Sequence, residues 1–200
     1  MRVTPSPSAS EQSQRGAIIV ELAFVAPVLV VLLLGLFEIG GIWSDHQTVT
    51  HTSRSGARVG SQLGDAGETD LEVLLAIEAS LGPLADDVSR IVIYEADANG
   101  DMPAPCVGAA AGYSGGSNCN IYDAVTMANL ATAGWWGSGT SCGTADNNWC
   151  APTERDTSQT SATFLGVQVE IEHTYLTKFF GGGTKTISDS TVMRLEPQGS

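Results

Sequence analysis

RGAIIVELAFVAPVLVVLLLGLFEIGGIW, residues 15–43, is the stretch that decides the architecture of this chain. From Ala17 to Trp43 it is apolar apart from Glu21 and Glu38. About 20 apolar residues rising 1.5 Å each are enough to cross the hydrocarbon layer, so the stretch predicts a membrane-spanning helix. A secretory signal has an apolar region of only about 7–15 residues that ends at small residues. This run is longer, and Phe37-Glu38-Ile39 makes a poor exit for a signal peptidase. A charge at the centre of such a helix costs on the order of 2.5–3.5 kcal/mol on insertion scales, so an acid there is expected to have a task and a partner. Glu38 lies near the far end of the span, where snorkelling to the headgroups is the expectation. Glu21 sits just inside the other end, and its offset from Gly16 calls for another explanation.

Working outward, MRVTPSPSASEQSQ, residues 1–14, is rich in Ser, Pro and Gln and reads as a disordered leader. After Trp43, residues 44–64 carry few strong apolar side chains; Val49, Ala57, Val59 and Leu63 predict a weakly amphipathic stalk that stops at Gly64. ETDLEVLLAIEASLG, residues 68–82, predicts a second, amphipathic helix with Thr69 as its cap, Leu71, Leu74, Leu75 and Ile77 or Glu78 in helical spacing, and Gly82-Pro83 as its end. VSRIVIYEA, residues 88–96, is β-branched and aromatic and predicts a strand, followed by a hairpin turn at Asn99-Gly100. Residues 102–160 read as irregular, with a short helix through YDAVTMANLATA. FLGVQVEIEHTY, residues 164–175, alternates Val167, Val169 and Ile171 with Gln168, Glu170 and Glu172, the pattern of a half-buried strand. The chain then turns at Gly181–Gly183 and returns as another strand. The expected fold is α+β: a long N-terminal transmembrane helix continuing into a stalk, then a small antiparallel sheet with helices on one face and a disulfide-rich loop region. The expected organisation is a leader over 1–16, span and stalk over 17–63, and an extracytoplasmic globular domain over 64–200.

With 22 acidic against 9 basic residues the net charge is −13, and no basic stripe is present to neutralise phosphates. Nucleic acid is excluded as a partner; the lipid bilayer is expected as one. All four cysteines, Cys106, Cys119, Cys142 and Cys150, fall within a Gly/Ser-rich stretch without CxxC pairs, which favours disulfides over a metal site. Three pairings are possible; loop closure and clustering favour Cys106 with Cys119 and Cys142 with Cys150. Arg2 and Arg15 before the span are balanced by Arg54 and Arg58 after it, so the disulfides decide the orientation: N-terminus in the cytoplasm, C-terminus outside.

If a membrane peptidase cuts between Gly16 and Ala17, the new α-amine of Ala17 becomes a cation and Glu21 the fifth residue of the mature chain. In a filament of such chains Glu21 meets the amine of a neighbour, which lowers the cost of the acid and sets the register. RG, VELA, Pro27 within the apolar tract, Gly35 with Glu38, and SRSGAR together make residues 15–58 resemble the TadE-like family, pseudopilins of the tight-adherence (Tad) pilus systems. VMRLEP, residues 192–197, is similar to a frequent close of that family. Leu22 after the glutamate, where the major pilins of these systems usually have tyrosine, and the chain length both fit a minor pseudopilin better. The resemblance implies a pilin-like fold, Gly16 and Ala17 as the processing site for a prepilin peptidase, Glu21 as the assembly carboxylate, and other Tad pilins, pseudopilins and the membrane assembly platform as partners. It places the chain in the cytoplasmic membrane and then in a pilus used for adherence. The alternative is a membrane-anchored binding domain or adhesin that uses the span only as a tether.

No enzyme is expected. GYSGG, residues 112–116, matches the G-x-S-x-G pattern, with Asp156 and His173 downstream, but it lacks the strand before and helix after that a nucleophile elbow needs. DANGD, residues 97–101, begins like a calcium loop, yet Met102 and Gly108 stand where that loop needs Gly and Glu. No cofactor or metal is implied, and His46, His51 and His173 read as surface residues. Trp135, Trp136, Trp149 and Tyr113 read as either a small aromatic core or a ligand-binding cluster, with the core favoured.

Overall fold

The computed structural model describes residues 9–113, 115, 116, 118–177 and 182–197, with residues 9–17 described by their backbone alone. Helix α1 runs unbroken over Ala9–Leu63, 55 residues with Pro27 inside it. Its first turns fall within the leader that was expected to lack order. Residues 9–15 contain no Pro or Gly, and extending an existing helix adds one hydrogen bond for each residue fixed, so the apolar segment carries them along. Gly64, at φ 60°, ends the helix where the sequence predicts, and its N–H returns to the Gly60 carbonyl.

Helix α2, Thr69–Leu81, packs against α1. Thr69 does not cap it: Glu68 holds that position without a side-chain hydrogen bond, and the buried Thr69 hydroxyl points to the Gly64 carbonyl at 3.5 Å. The buried face is Asp70, Val73, Leu74, Ile77 and Leu81, while Leu75 is exposed. The apolar stripe is thus rotated from the expected one, because an acid belongs to it.

A 3-10 turn over Gly82–Asp87 leads into β1 (Val88–Glu95); β2 (Cys119–Tyr122), β3 (Phe164–Thr174) and β4 (Thr184–Arg194) complete one antiparallel sheet in the order β2-β1-β3-β4. Single turns α3 (Ala124–Met127) and α4 (Ala151–Glu154) punctuate the long connection between β2 and β3. Strand β2 was not anticipated, since it is only four residues long and lies within the region that reads as irregular. Asn99-Gly100 is a turn but not a two-residue hairpin. The Asp97 carboxylate accepts from the N–H groups of Asn99 and Asp101, and the chain runs on to Asn118 before β2 pairs with β1.

One sheet face carries Ile91, Ile93, Leu165, Val167, Val169, Ile171 and Ile187 into a core with α1 and α2. The opposite face of β1 and β2 buries Val92, Tyr94 and Ile121 under the 97–118 loop, fastened by the Cys106–Cys119 disulfide. Burial on both faces explains why β1 reads as a continuous apolar run while β3 alternates. Tyr94 lies flat on Gly166, where any Cβ would enter the ring, and burial pushes its hydroxyl pKa up.

The segment beyond Trp43 is not a free stalk. Val49, Thr52, Ser53 and Ala57 are fully buried, and a Cβ on Gly60 would come within 2.9 Å of Leu165 and 3.1 Å of Val73. Small residues let α1 approach α2 and β3 closely, so the helix end at Leu63 is not a packing boundary. The globular unit expected over 64–200 includes the last third of α1.

Candidate assembly site

The two halves of α1 meet different surroundings. Ile18, Leu22, Phe24, Leu29, Leu33 and Phe37 are exposed, and this is the one helix among the described residues long and apolar enough to cross a membrane. Glu21 is exposed within this half, with no hydrogen bond or ion pair to any described residue. Gly16 and Ala17 lie within the helix, their surroundings outside the described residues.

Glu38, only 3% exposed, does not snorkel. Its carboxylate accepts from the Leu176 N–H at 2.8 Å, the Thr177 N–H at 3.2 Å and the Thr177 hydroxyl at 3.3 Å, holding the end of β3 against the helix. A buried acid that takes several N–H and O–H donors is a stable arrangement. The physical reason for the departure is that the domain folds back over α1 at this point and supplies donors closer than any headgroup. One step further, Asp45 lies 2.5 Å from Nδ1 of His173, and Tyr175 sets its ring edge-on to the imidazole at 5.7 Å. His173 is therefore a buried, paired residue rather than a surface one. Beyond it, Ser53 donates to Asp189 at 2.8 Å and lies 3.0 Å from the Thr191 hydroxyl, both on β4. At the end of α1 the Ser61 carbonyl accepts from the Glu196 N–H, which docks the VMRLEP segment. Glu38, Asp45, Ser53 and Ser61 are thus a line of polar fasteners along one helix.

The disulfides join Cys106 to Cys119 and Cys142 to Cys150, the pairing that loop closure favours. Beneath the second lies a polar centre that sequence reasoning missed. Asp70 of α2, buried, accepts from the Asn120 amide, the Tyr122 hydroxyl and the Arg155 guanidinium, each at 2.6 Å. The Arg155 guanidinium stacks 4.1 Å above the Trp149 ring, which offsets part of its desolvation. Burial, followed by the neighbouring Asp70 charge, holds the Tyr122 pKa well above its usual value. Burial also raises Asp146, against the N–H groups of Gly137 and Gly143 that its carboxylate accepts. This centre ties α2 to the 123–163 loop. The available signal was an acid one turn before Val73 and Leu74.

The hydrolase-like residues are not brought together. Asp156 accepts from the Ser158 N–H and the Ser161 hydroxyl, whereas His173 faces Asp45; Ser114 lies outside the described residues. The aromatic residues divide: Trp149 is fully buried, Trp136 packs on Tyr122 and donates to the Leu130 carbonyl, while Tyr113 and Trp135 reach a surface cleft.

Residues 16–58 match the family model described as TadE-like protein. That segment is similar to TadE-like proteins. No curated protein and no solved structure matches the chain. The TadE-like segment spans two physically distinct pieces, the bare apolar half of α1 and the half whose small residues dock on the sheet. The N-terminal apolar helix suits a single-pass membrane anchor.

Proposed function

We propose that this chain is a minor pseudopilin, cut by a prepilin peptidase between Gly16 and Ala17, that takes part in initiating or capping a Tad pilus used for adherence. The observation that carries the reading is Glu21: it is the acid of an otherwise bare apolar half-helix, and it finds no partner within its own described chain. Glu38, the other acid of the same tract, is satisfied internally. Among the described residues Glu21 has no partner, and the Ala17 α-amine of a neighbouring subunit is a cation at a matching depth. In this reading the N-terminus faces the cytoplasm and the disulfide-bonded domain lies outside the cytoplasmic membrane.

The test combines processing with assembly. N-terminal mass spectrometry of the membrane-extracted protein is expected to show a chain starting at Ala17. Glu21→Gln is expected to leave insertion and cleavage intact while surface pili, counted by electron microscopy, fall to a small fraction of wild type. Equal piliation with both proteins made and processed would favour the anchored binding domain, which needs neither cut nor acid.

A further inference from the structure

A cleft of about 360 Å³ opens between the two disulfide-fastened loops, on the side of β2 away from β3. Its volume lies in the range of small-molecule sites, roughly 300–1,000 Å³. Tyr113 comes from the loop closed by Cys106–Cys119; Thr144 and Asn147 come from the region closed by Cys142–Cys150; Trp135 precedes that region and is tied to it through the Ala145 N–H; Thr126 lies on α3. We propose that this cleft binds a neutral pyranose sugar, stacked on the Tyr113 and Trp135 rings and hydrogen-bonded by the Asn147, Thr126 and Thr144 side chains.

Three observations carry the choice of ligand. Among the described residues the lining contains no charged side chain, although the chain as a whole carries a net charge of −13. An ionic ligand would find no counter-charge there, and an anion would be repelled by the surrounding field. The lining is also mixed, the aromatic Tyr113, Tyr122 and Trp135 among amides and hydroxyls, so a purely apolar ligand would leave polar groups desolvated. A sugar ring matches both parts: its face of polarised C–H groups suits the electron-rich face of an aromatic ring, and its hydroxyls both donate and accept, as Asn and Thr side chains require. The walls are held before any ligand arrives. The Tyr113 ring lies against Gly115, where a Cβ would clash with it, and the Trp135 carbonyl accepts from the Ala145 N–H at 2.9 Å. Preorganisation of this kind lowers the ordering cost of binding. Meanwhile Trp149 and Trp136 are committed to the core and Tyr122 is buried with its hydroxyl on Asp70, so Tyr113 and Trp135 are the rings with exposed surface at the cleft.

The proposal goes beyond assembly and is tested without it. The full chain is placed in lipid nanodiscs, which avoid detergents with sugar headgroups. It is titrated separately with D-glucose, D-galactose, D-mannose, N-acetyl-D-glucosamine, D-glucuronate and cyclohexanol, and saturation-transfer NMR reads the ligand. At least one neutral sugar is expected to bind in the millimolar range and better than D-glucuronate or cyclohexanol. Trp135→Ala is expected to weaken it by about tenfold, the scale of one lost aromatic partner. Asn147→Ala, an exposed position, gives a second reading should Trp135→Ala disturb folding, and near-UV circular dichroism checks both variants. Absence of binding by all four neutral sugars, a preference for D-glucuronate or cyclohexanol, or unchanged affinity in both folded variants would overturn the proposal.

Discussion

Glu21 and Glu38 are the same side chain in the same helix, 17 positions apart, and their surroundings are opposite. Glu38 is enclosed by its own domain, with three donors on its carboxylate. Glu21 stands on a surface of Ile, Val, Leu and Phe with no partner among the described residues. The difference teaches that a helix with one composition can serve two solvents. Where the chain folds back on it, an acid is satisfied within the molecule; where it does not, satisfaction must come from lipid, water or a second copy. Glycines divide the same way, since Gly60 is pressed between Leu165 and Val73 while a Cβ on Gly40 would meet nothing within 4 Å.

That contrast can be broken by substitution, most strongly at the glycines. Gly60→Leu puts several carbons where even one does not fit, and should destabilise the domain by about 3 kcal/mol or more, whereas Gly40→Leu should not. Thermal unfolding of the nanodisc-embedded chain, followed by near-UV circular dichroism, measures both; equal melting would mean that α1 is not docked as described. Next in size is Glu38→Ala, which leaves the N–H groups of Leu176 and Thr177 without their acceptor and should cost about 2–3 kcal/mol. Faster protease cleavage between β3 and β4 is the accompanying sign, and unchanged melting and cleavage would put Glu38 back among the snorkelling acids. Asp45→Ala removes one partner from His173 and should cost about 1–2 kcal/mol in the same melt. The smallest effect belongs to Glu21→Gln, expected within about 0.5 kcal/mol of wild type because no hydrogen bond or ion pair among the described residues is lost. A large loss of stability there would reveal an internal partner and remove the reason to look for one in a neighbouring subunit.

Alkaline pH addresses the domain's other polar centre. The Tyr122 pKa is raised, so the neutral phenol is the form the folded state favours. The associated stability is fully present below the unfolded pKa of 10.0 and is lost as pH rises above it. Unfolding by denaturant at stepped pH should show this loss in wild type and a weaker one in Tyr122→Phe.

Much of this was legible because it is local or periodic. Residues 17–43 announce a span by length and apolarity, Gly64 ends a helix by its positive φ, and the alternation from Val167 to Ile171 marks a strand with one face inward. The four cysteines, in two clusters, pair within each. Gly16 followed at a fixed offset by Glu21 is a signal read along the chain, and residues 16–58 also match the TadE-like family model. Other features depend on residues far apart in sequence. The donors to Glu38 are backbone N–H groups 138 and 139 positions later, and every residue type but proline carries one. Asp70 reads as a first-turn acid until Asn120, Tyr122 and Arg155 converge on it from separations of 50, 52 and 85 residues. His173 reads as a lone surface histidine until α1 brings Asp45 to it. The sequence by itself determined the anchor, the α+β class and the offset of Glu21 from Gly16, because hydrophobic periodicity and helix signals act over a few residues. Only the tertiary structure decided which half of α1 belongs to the domain, which polar groups are satisfied inside it and which aromatic rings remain at the surface, because burial is set by whatever the rest of the chain packs against each side chain.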